Sequence, residues 1–318
     1  MPASPSTLLP TPAIASVPRG LDLLAPEALA KISRLELVAR QVMDGYIQGL
    51  HRSSQLGFAT DFAQHRPYAP GDDIKRLDWR LYAKADRYYV KQYEVATSLQ
   101  AHLVLDGSGS MAYQGRTDPL SKFRYAQFLA ACLAYLILHQ QDSVGLVTLD
   151  RTIRQAIPAR STPAHLLHIL EMLDRTQPGG EAPLAALLHR IAEQLAHRGM
   201  VIIISDLFAP VGDLIEALHH FRHRRHEVIL LHVMAQDELT FPFNRWTLFR
   251  NLEQAQHRVR GDPALLRRFY LQNVAAHLAA LRRAAGSLYV SYRLLRTAQP
   301  FHEALTGYLA RRMQKRGL

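Results

Sequence analysis

The sequence predicts an α/β protein built on a mostly parallel sheet with helices packed on both faces. Two observations carry that prediction. From residue 98 onward, strand-like and helix-like segments alternate regularly, the pattern of chains that cover a sheet with crossover helices. Several of the strand-like runs, MVIIISD (200–206) foremost, are apolar without polar alternation, as strands buried on both faces must be.

The elements follow in order. Residues 1–25 are rich in Pro, Ser, Thr and Ala without periodicity, a composition expected to stay a disordered tail. Over 27–50, Leu29, Ile32, Leu35, Val38, Val42 and Tyr46 recur at helical spacing, predicting an N-terminal helix. A polar, aromatic-rich segment runs on to residue 97; HRPYAPGDD reads as turns and RYYVKQYEV as a strand. SLQAHLVLD then predicts the first strand of the main domain, and Asp118-Pro119 an N-cap and first-turn pair for a helix reaching about Gln141. SVGLVTLD is a second strand, with TIRQAIP beside it as an edge hairpin. Helices fit 163–173 and 183–197, followed by the strand MVIIISD, a helix over about 211–223 and the strand HEVILLHVM. Residues 236–261 read as an insertion of short strands and turns. A long helix over about 263–285, the strand SLYVSYRLL and a last helix over 300–313 complete the chain. The main domain thus spans 98–297, with 26–97 before it and a C-terminal helical segment, 298–318, after it.

Composition bounds the function. In 318 residues the longest uninterrupted apolar run, 128–138, is far shorter than the ~20 residues a membrane helix requires. The N-terminus lacks the early positive charge and sustained apolar stretch of a secretory signal. The single cysteine, Cys132, lies in an apolar helical pattern, which leaves no internal disulfide and suits a reducing compartment. A cytoplasmic protein is expected. Lys plus Arg number 38 against 27 for Asp plus Glu, a net charge of +11, so the field favours an acidic partner surface, nucleic acid or anionic lipid. The densest basic segment, HHFRHRRH (219–226), falls at a helix end, where cations meet the negative pole of the helix dipole. His219 and His223 have metal-compatible spacing, yet no carboxylate or cysteine beside them completes a zinc set.

The richest stretch is HLVLDGSGSMAY (102–113). An apolar strand ends in Asp106, and two serines then alternate with glycines, at the sheet edge where open α/β folds bind ligands. A dinucleotide fingerprint needs a helix to open at once, but AYQGRTDP interposes a loop. A P-loop needs Gly-Lys-Ser/Thr, and a nucleophile elbow needs Gly two residues to either side of Ser; neither is present. Asp106, Ser108 and Ser110 alternate, so an extended loop points their oxygens one way, as a hard cation such as Mg2+ requires. Asp206 ends MVIIISD in the same manner. Two carboxylates about 5 Å apart repel by ~3 kcal/mol at an effective dielectric of about 20, a cost that a shared cation removes. Either aspartate alone is equally well explained as a helix cap; their joint occurrence at two strand ends favours the cation.

These residues carry a resemblance. DGSGS resembles the Asp-x-Ser-x-Ser signature of the von Willebrand factor A domain, whose metal-ion-dependent adhesion site binds magnesium or manganese. The upstream segment GFATDFAQHRPYAPGDDIKRLDWRLYAKADRYYVKQYE is similar to the one defining a bacterial family catalogued as domain of unknown function 58, over about residues 31–315. The resemblance implies a von Willebrand A-like domain with Asp106, Ser108, Ser110 and Asp206 as ligands of Mg2+ or Mn2+. It also implies partnership with a MoxR-type AAA+ ATPase acting on a protein client. The family's middle loop supplies a threonine ligand where PGGEAPL has Glu181 and Ala182, which leaves three readings: water fills that position, Glu181 turns inward to fill it, or the site has lost its metal. The site is then an adhesive clamp and not a catalyst, open to a partner's carboxylate. Nucleic-acid binding through the basic helix ends is the alternative, and a metal-dependent hydrolase a weaker one. His65, Asp72, Asp73 and Asp78 in the upstream segment offer acid-base groups but read better as turn and packing residues.

Overall fold

A computed structural model describes residues 99–254 and 256–299, together with Leu35, Ala39, 65–67, Tyr82 and 88–91. The N-terminal tail, the last helix and most of the segment before residue 98 lie outside the described residues. Leu35 and Ala39 are helical and buried, and β1 (His65–Pro67) pairs antiparallel with β2 (Tyr89–Lys91).

The main domain is a six-stranded sheet among the described residues. Its strands are β3 (Gln100–Asp106), β4 (Ser143–Leu149), β5 (Ile153–Arg160), β6 (Met200–Ser205), β7 (Glu227–Met234) and β10 (Ser291–Arg296), in the order β10-β7-β6-β3-β4-β5. Only β5 runs antiparallel, as the edge hairpin after β4; the other pairings are parallel. The chain goes from β3 to β4 on one side and later returns to β6 on the other. The carboxyl ends of β3 and β6 therefore flank a topological switch point, where such sheets leave a crevice.

Alternation sorts the strand side chains into two cores. From β3 and β6, Leu103, Leu105, Met200, Ile202 and Ile204 join one cluster with α1 (Lys122–His139) and α2 (Pro163–Arg175). Val104, Val201 and Ile203 join the other, with α3 (Leu184–Gln194), α4 (Val211–His223) and α6 (Pro263–Ser287). Each such buried aliphatic side chain contributes about 1.5–3 kcal/mol, which is why strands apolar on both faces commit to the middle of the sheet. Helix α1 is buried almost all round; within it Gln127 donates from Nε2 to the carbonyl of Thr176 at 3.1 Å, tying α1 to the end of α2.

The start of α1 departs from expectation. Its N-cap is Ser121, whose hydroxyl accepts from Arg124 N at 3.2 Å, and not Asp118. Asp118 is buried instead, its Oδ2 accepting from Thr297 Oγ1 at 2.6 Å and Gln236 N at 3.1 Å. It ties the loop after β3 to the ends of β10 and β7. Replacing Asp118 by Ala leaves both donors unsatisfied, so a loss of about 2 kcal/mol is expected, read as a lowered denaturant midpoint with an unchanged slope.

The insertion forms α5 (Gln236–Thr240) and a hairpin of β8 (Thr247–Arg250) and β9 (Arg258–Gly261). Phe241 stacks on Phe249 at 5.8 Å and lies 4.7 Å from the ring of Tyr270 on α6, which docks the hairpin base on the domain.

Candidate metal centre at the switch point

Each functional side chain is placed by the end of an apolar strand. Asp106 closes β3 and Asp206 directly follows β6; they are 2% and 7% exposed. The loop after Asp106 turns at once into a 3-10 turn, Gly109–Ala112. Backbone bonds from Gly107 N to Leu149 O (2.7 Å), Gly109 N to Gly180 O (2.7 Å) and Gly179 N to Gly107 O (2.8 Å) stitch this loop to the end of β4 and to the loop before α3. Gly180 has φ +80, a conformation that favours glycine, and its carbonyl is the one that meets Gly109.

Two of the expected oxygens meet: Ser108 Oγ and Ser110 Oγ are 3.0 Å apart, and Ser110 is near enough to Asp206 to favour its ionised form. Asp106 Oδ1 accepts from Ser108 N at 2.8 Å, and Oδ2 from Ser205 Oγ at 2.6 Å. Ser205 Oγ accepts in turn from Leu207 N at 2.9 Å, so Ser205 locks the Asp106 carboxylate as sequence reasoning had not foreseen. Burial, and then the charge of Asp206, push Asp106 up to about 6.

Asp206 differs because of Lys122. The Lys122 ammonium, 2% exposed, lies 2.8 Å from Asp206 Oδ2 and 2.7 Å from Glu238 Oε1. Burial alone would raise Asp206, but the Lys122 charge and hydrogen bond hold it below its ordinary value. The expectation that one ion must relieve two bare aspartates therefore needs correction: Asp206 already has a cation. The ion pairs of Lys122 are to Asp206 and Glu238, and Asp106 makes none among the described residues. Glu238 is fixed by accepting from Ala235 N at 2.8 Å. Its neighbour Asp237 accepts from Arg116 N at 2.8 Å, which holds the loop after the serines.

Beyond Asp206 opens a cavity of about 630 Å3, with Lys122, Phe208, His232 and His277 among its lining. Burial holds His232 down at about 3 and therefore neutral. Its Nδ1 pairs with Tyr292 OH at 2.8 Å.

Glu181 is exposed, and its Oε2 accepts from Gln254 Nε2 at 2.7 Å. Ala182 packs on the second core with a methyl group where the resemblance implies a ligand oxygen. Glu253, which the sequence did not point to, comes close to Ser110: burial raises its carboxyl above the ordinary value, and Ser110 partly offsets that. No three His, Cys, Asp or Glu side chains among the described residues already surround one point. His219 and His223 are both exposed on α4. Of the upstream acid-base candidates, Asp72, Asp73 and Asp78 lie outside the described residues, and His65 is described only as part of β1.

The donor set fits a hard cation: two buried carboxylates and two hydroxyls, all oxygen, with Asp106 making no ion pair among the described residues. Residues 64–280 match the family described as "Protein of unknown function DUF58". The chain belongs to that family. It is 26% identical over 308 residues to the uncharacterized protein Rv1480 of Mycobacterium tuberculosis, covering 95% of each chain. Among solved structures it is similar to the conserved hypothetical protein BatB from Bacteroides thetaiotaomicron, at 14% identity and TM-score 0.47 over 68% of this chain and 99% of that one. It is also similar to the SpRpn10 VWA domain, at 12% identity and TM-score 0.37 over 66% of this chain and 94% of that one. The main domain is a mostly parallel sheet flanked by helices, as the alternation of elements predicted. No helix of the described residues is long and apolar enough to cross a membrane.

Proposed function

We propose that the chain is a Mg2+- or Mn2+-dependent protein–protein interaction module working with a MoxR-type AAA+ ATPase on a protein client. The observation that supports it most is Asp106, a buried carboxylate with no ion pair among the described residues, set beside paired serine hydroxyls at the sheet's switch point. Asp106, Ser108, Ser110 and Asp206 would hold the ion, and a bound divalent ion supplies an under-neutralised centre that accepts a carboxylate oxygen from a partner. The chain's own residues do the rest. Ser205 and the Ser108 N–H orient Asp106, while Lys122 draws off part of the Asp206 charge and so limits how far the protein itself neutralises the centre. Phe208, 76% exposed two residues after Asp206, offers an apolar contact beside it, and the net charge of +11 steers acidic surfaces toward the domain.

The test is co-purification with MoxR-type ATPases in Mg2+ and in chelator, with wild type and Asp106→Ala. Capture that is lost on chelation and on substitution is the expected result; capture indifferent to both rejects the proposal. A second reading, nucleic-acid binding, is favoured by the exposed His219, His223, Arg224 and Arg225 at the end of α4. It requires affinity for RNA or DNA that falls steeply with salt.

A further inference from the structure

The hairpin inserted between β7 and β10 does more than decorate the edge of the domain. Its tip lies on the serine loop so closely that a Cβ placed on Gly109 would come within 2.5 Å of Leu252 O and 3.1 Å of the Glu253 Cα. Only the absence of a side chain at 109 permits this approach. Asn251 Oδ1 shapes the tip by accepting from Glu253 N at 2.8 Å and Gln254 N at 3.1 Å. Gln254 then reaches across to Glu181 on the opposite rim, and the Asn251 N–H donates to His257 O at 3.0 Å to close the loop. The tip is thereby held against both walls of the centre, with Glu253 beside the serine loop and Ser110 favouring its ionised form. Glu253 is half-buried, and the nearby charge of Asp206 works against its ionised form. A third carboxylate moved into this crowd by an insertion gains nothing electrostatically unless a cation is there to receive it.

We infer that Glu253 is the chain's own acidic ligand for the centre: it supplies in cis the oxygen that Ala182 lacks and occupies the position that a partner's carboxylate takes once the hairpin lifts. The inference rests on the metal-dependent reading above. Glu253 stands beside the serine loop, at the rim of the centre. Partner binding then requires exchange of one carboxylate for another, and the hairpin sets how much a partner must offer beyond a lone acidic residue.

The experiment uses the full chain and Mn2+ alone. Titration with detection of water-proton relaxation reads both affinity and the number of waters on the bound ion. Glu253→Gln, which keeps the size and a carbonyl oxygen for Ser110, is expected to weaken Mn2+ binding about tenfold or more and to raise the relaxation enhancement per bound ion, because water enters the vacated position. Hydrogen exchange at the amides of 252–254 should slow on adding Mn2+ to wild type and not to Glu253→Gln. Glu253→Asp, with a shorter reach, should fall between them. Wild-type affinity and hydration in Glu253→Gln, or tighter binding through relief of repulsion, overturns the inference while leaving the metal reading intact. Failure of wild type itself to bind Mn2+ overturns both, so the wild-type titration tells the two failures apart.

Discussion

Lys122→Met is expected to cost about 3–5 kcal/mol, the penalty for removing one partner from a buried ion pair and leaving the other charge uncompensated. Lys122 is the first residue of α1, where the positive end of the helix dipole disfavours a cation. Its charge is tolerated because Asp206 and Glu238 both reach it. Burial works against the ammonium, yet the two carboxylates outweigh that and lift Lys122 above its ordinary value. A lysine raised in the folded state contributes stability that is complete below 10.5, its ordinary value, and is lost as pH rises through the folded value. Asp206, held below 3.8, contributes stability that is complete above 3.8 and lost as pH falls through its lower folded value. Across the range between 3.8 and 10.5 the pair is therefore fully effective in wild type. The variant loses this plateau: Asp206, now buried beside Asp106 without a cation, is pushed upward and becomes a burden as pH rises. Thermal unfolding should show the deficit larger at pH 8 than at pH 5. A deficit of equal size at both pH values would show that Lys122 acts by packing alone.

The strands and helices were legible because the chain changes period cleanly, and the two-sided apolar runs of β3 and β6 could only lie mid-sheet. Asp106 and Asp206 were legible for the same reason, each being the first charged residue after such a run. What the sequence hid was convergence. Lys122 sits 84 residues from Asp206 and 116 from Glu238, and nothing in their local patterns announces a shared pocket. A signal did exist: a lysine follows the capping Ser121 at the head of a helix otherwise buried all round. Helical side chains lean toward the N-terminus, here toward the rim where the strands end. Asp118 misled for a related reason, since Asp-Pro before a helix is an ordinary start signal. The cap three residues later freed Asp118 to bind Thr297, a partner set by tertiary path alone. Glu253 was invisible because its place depends on an insertion folding back over Gly109.

Asp106→Asn is expected to separate stability from metal response. Wild type should gain stability with Mg2+ or Mn2+ by mass action, about 2.7 kcal/mol at a hundredfold excess over Kd, and the Asn variant should gain almost nothing. Without metal the order should reverse. Asp106 is raised to about 6 by burial and by Asp206, so the folded state holds its proton more tightly than the unfolded chain does, and stability falls as pH rises from about 4 through 6. Above that range wild type bears a bare buried charge whose cost is on the order of 3 kcal/mol by the shift in affinity for the proton. Asn removes the charge, retains an acceptor for Ser108 N, and gives up about 1 kcal/mol at Ser205, whose hydroxyl loses its carboxylate acceptor. In chelator at pH 8 the variant should therefore unfold at a higher denaturant concentration than wild type by the equivalent of about 1–2 kcal/mol. That advantage should close as pH falls through 6 toward 4, and below 3.8 the wild-type carboxyl is protonated in both states. A variant less stable than wild type in chelator at pH 8 would mean that Asp106 is a structural carboxylate satisfied by its two serines, with no charge left for an ion to answer.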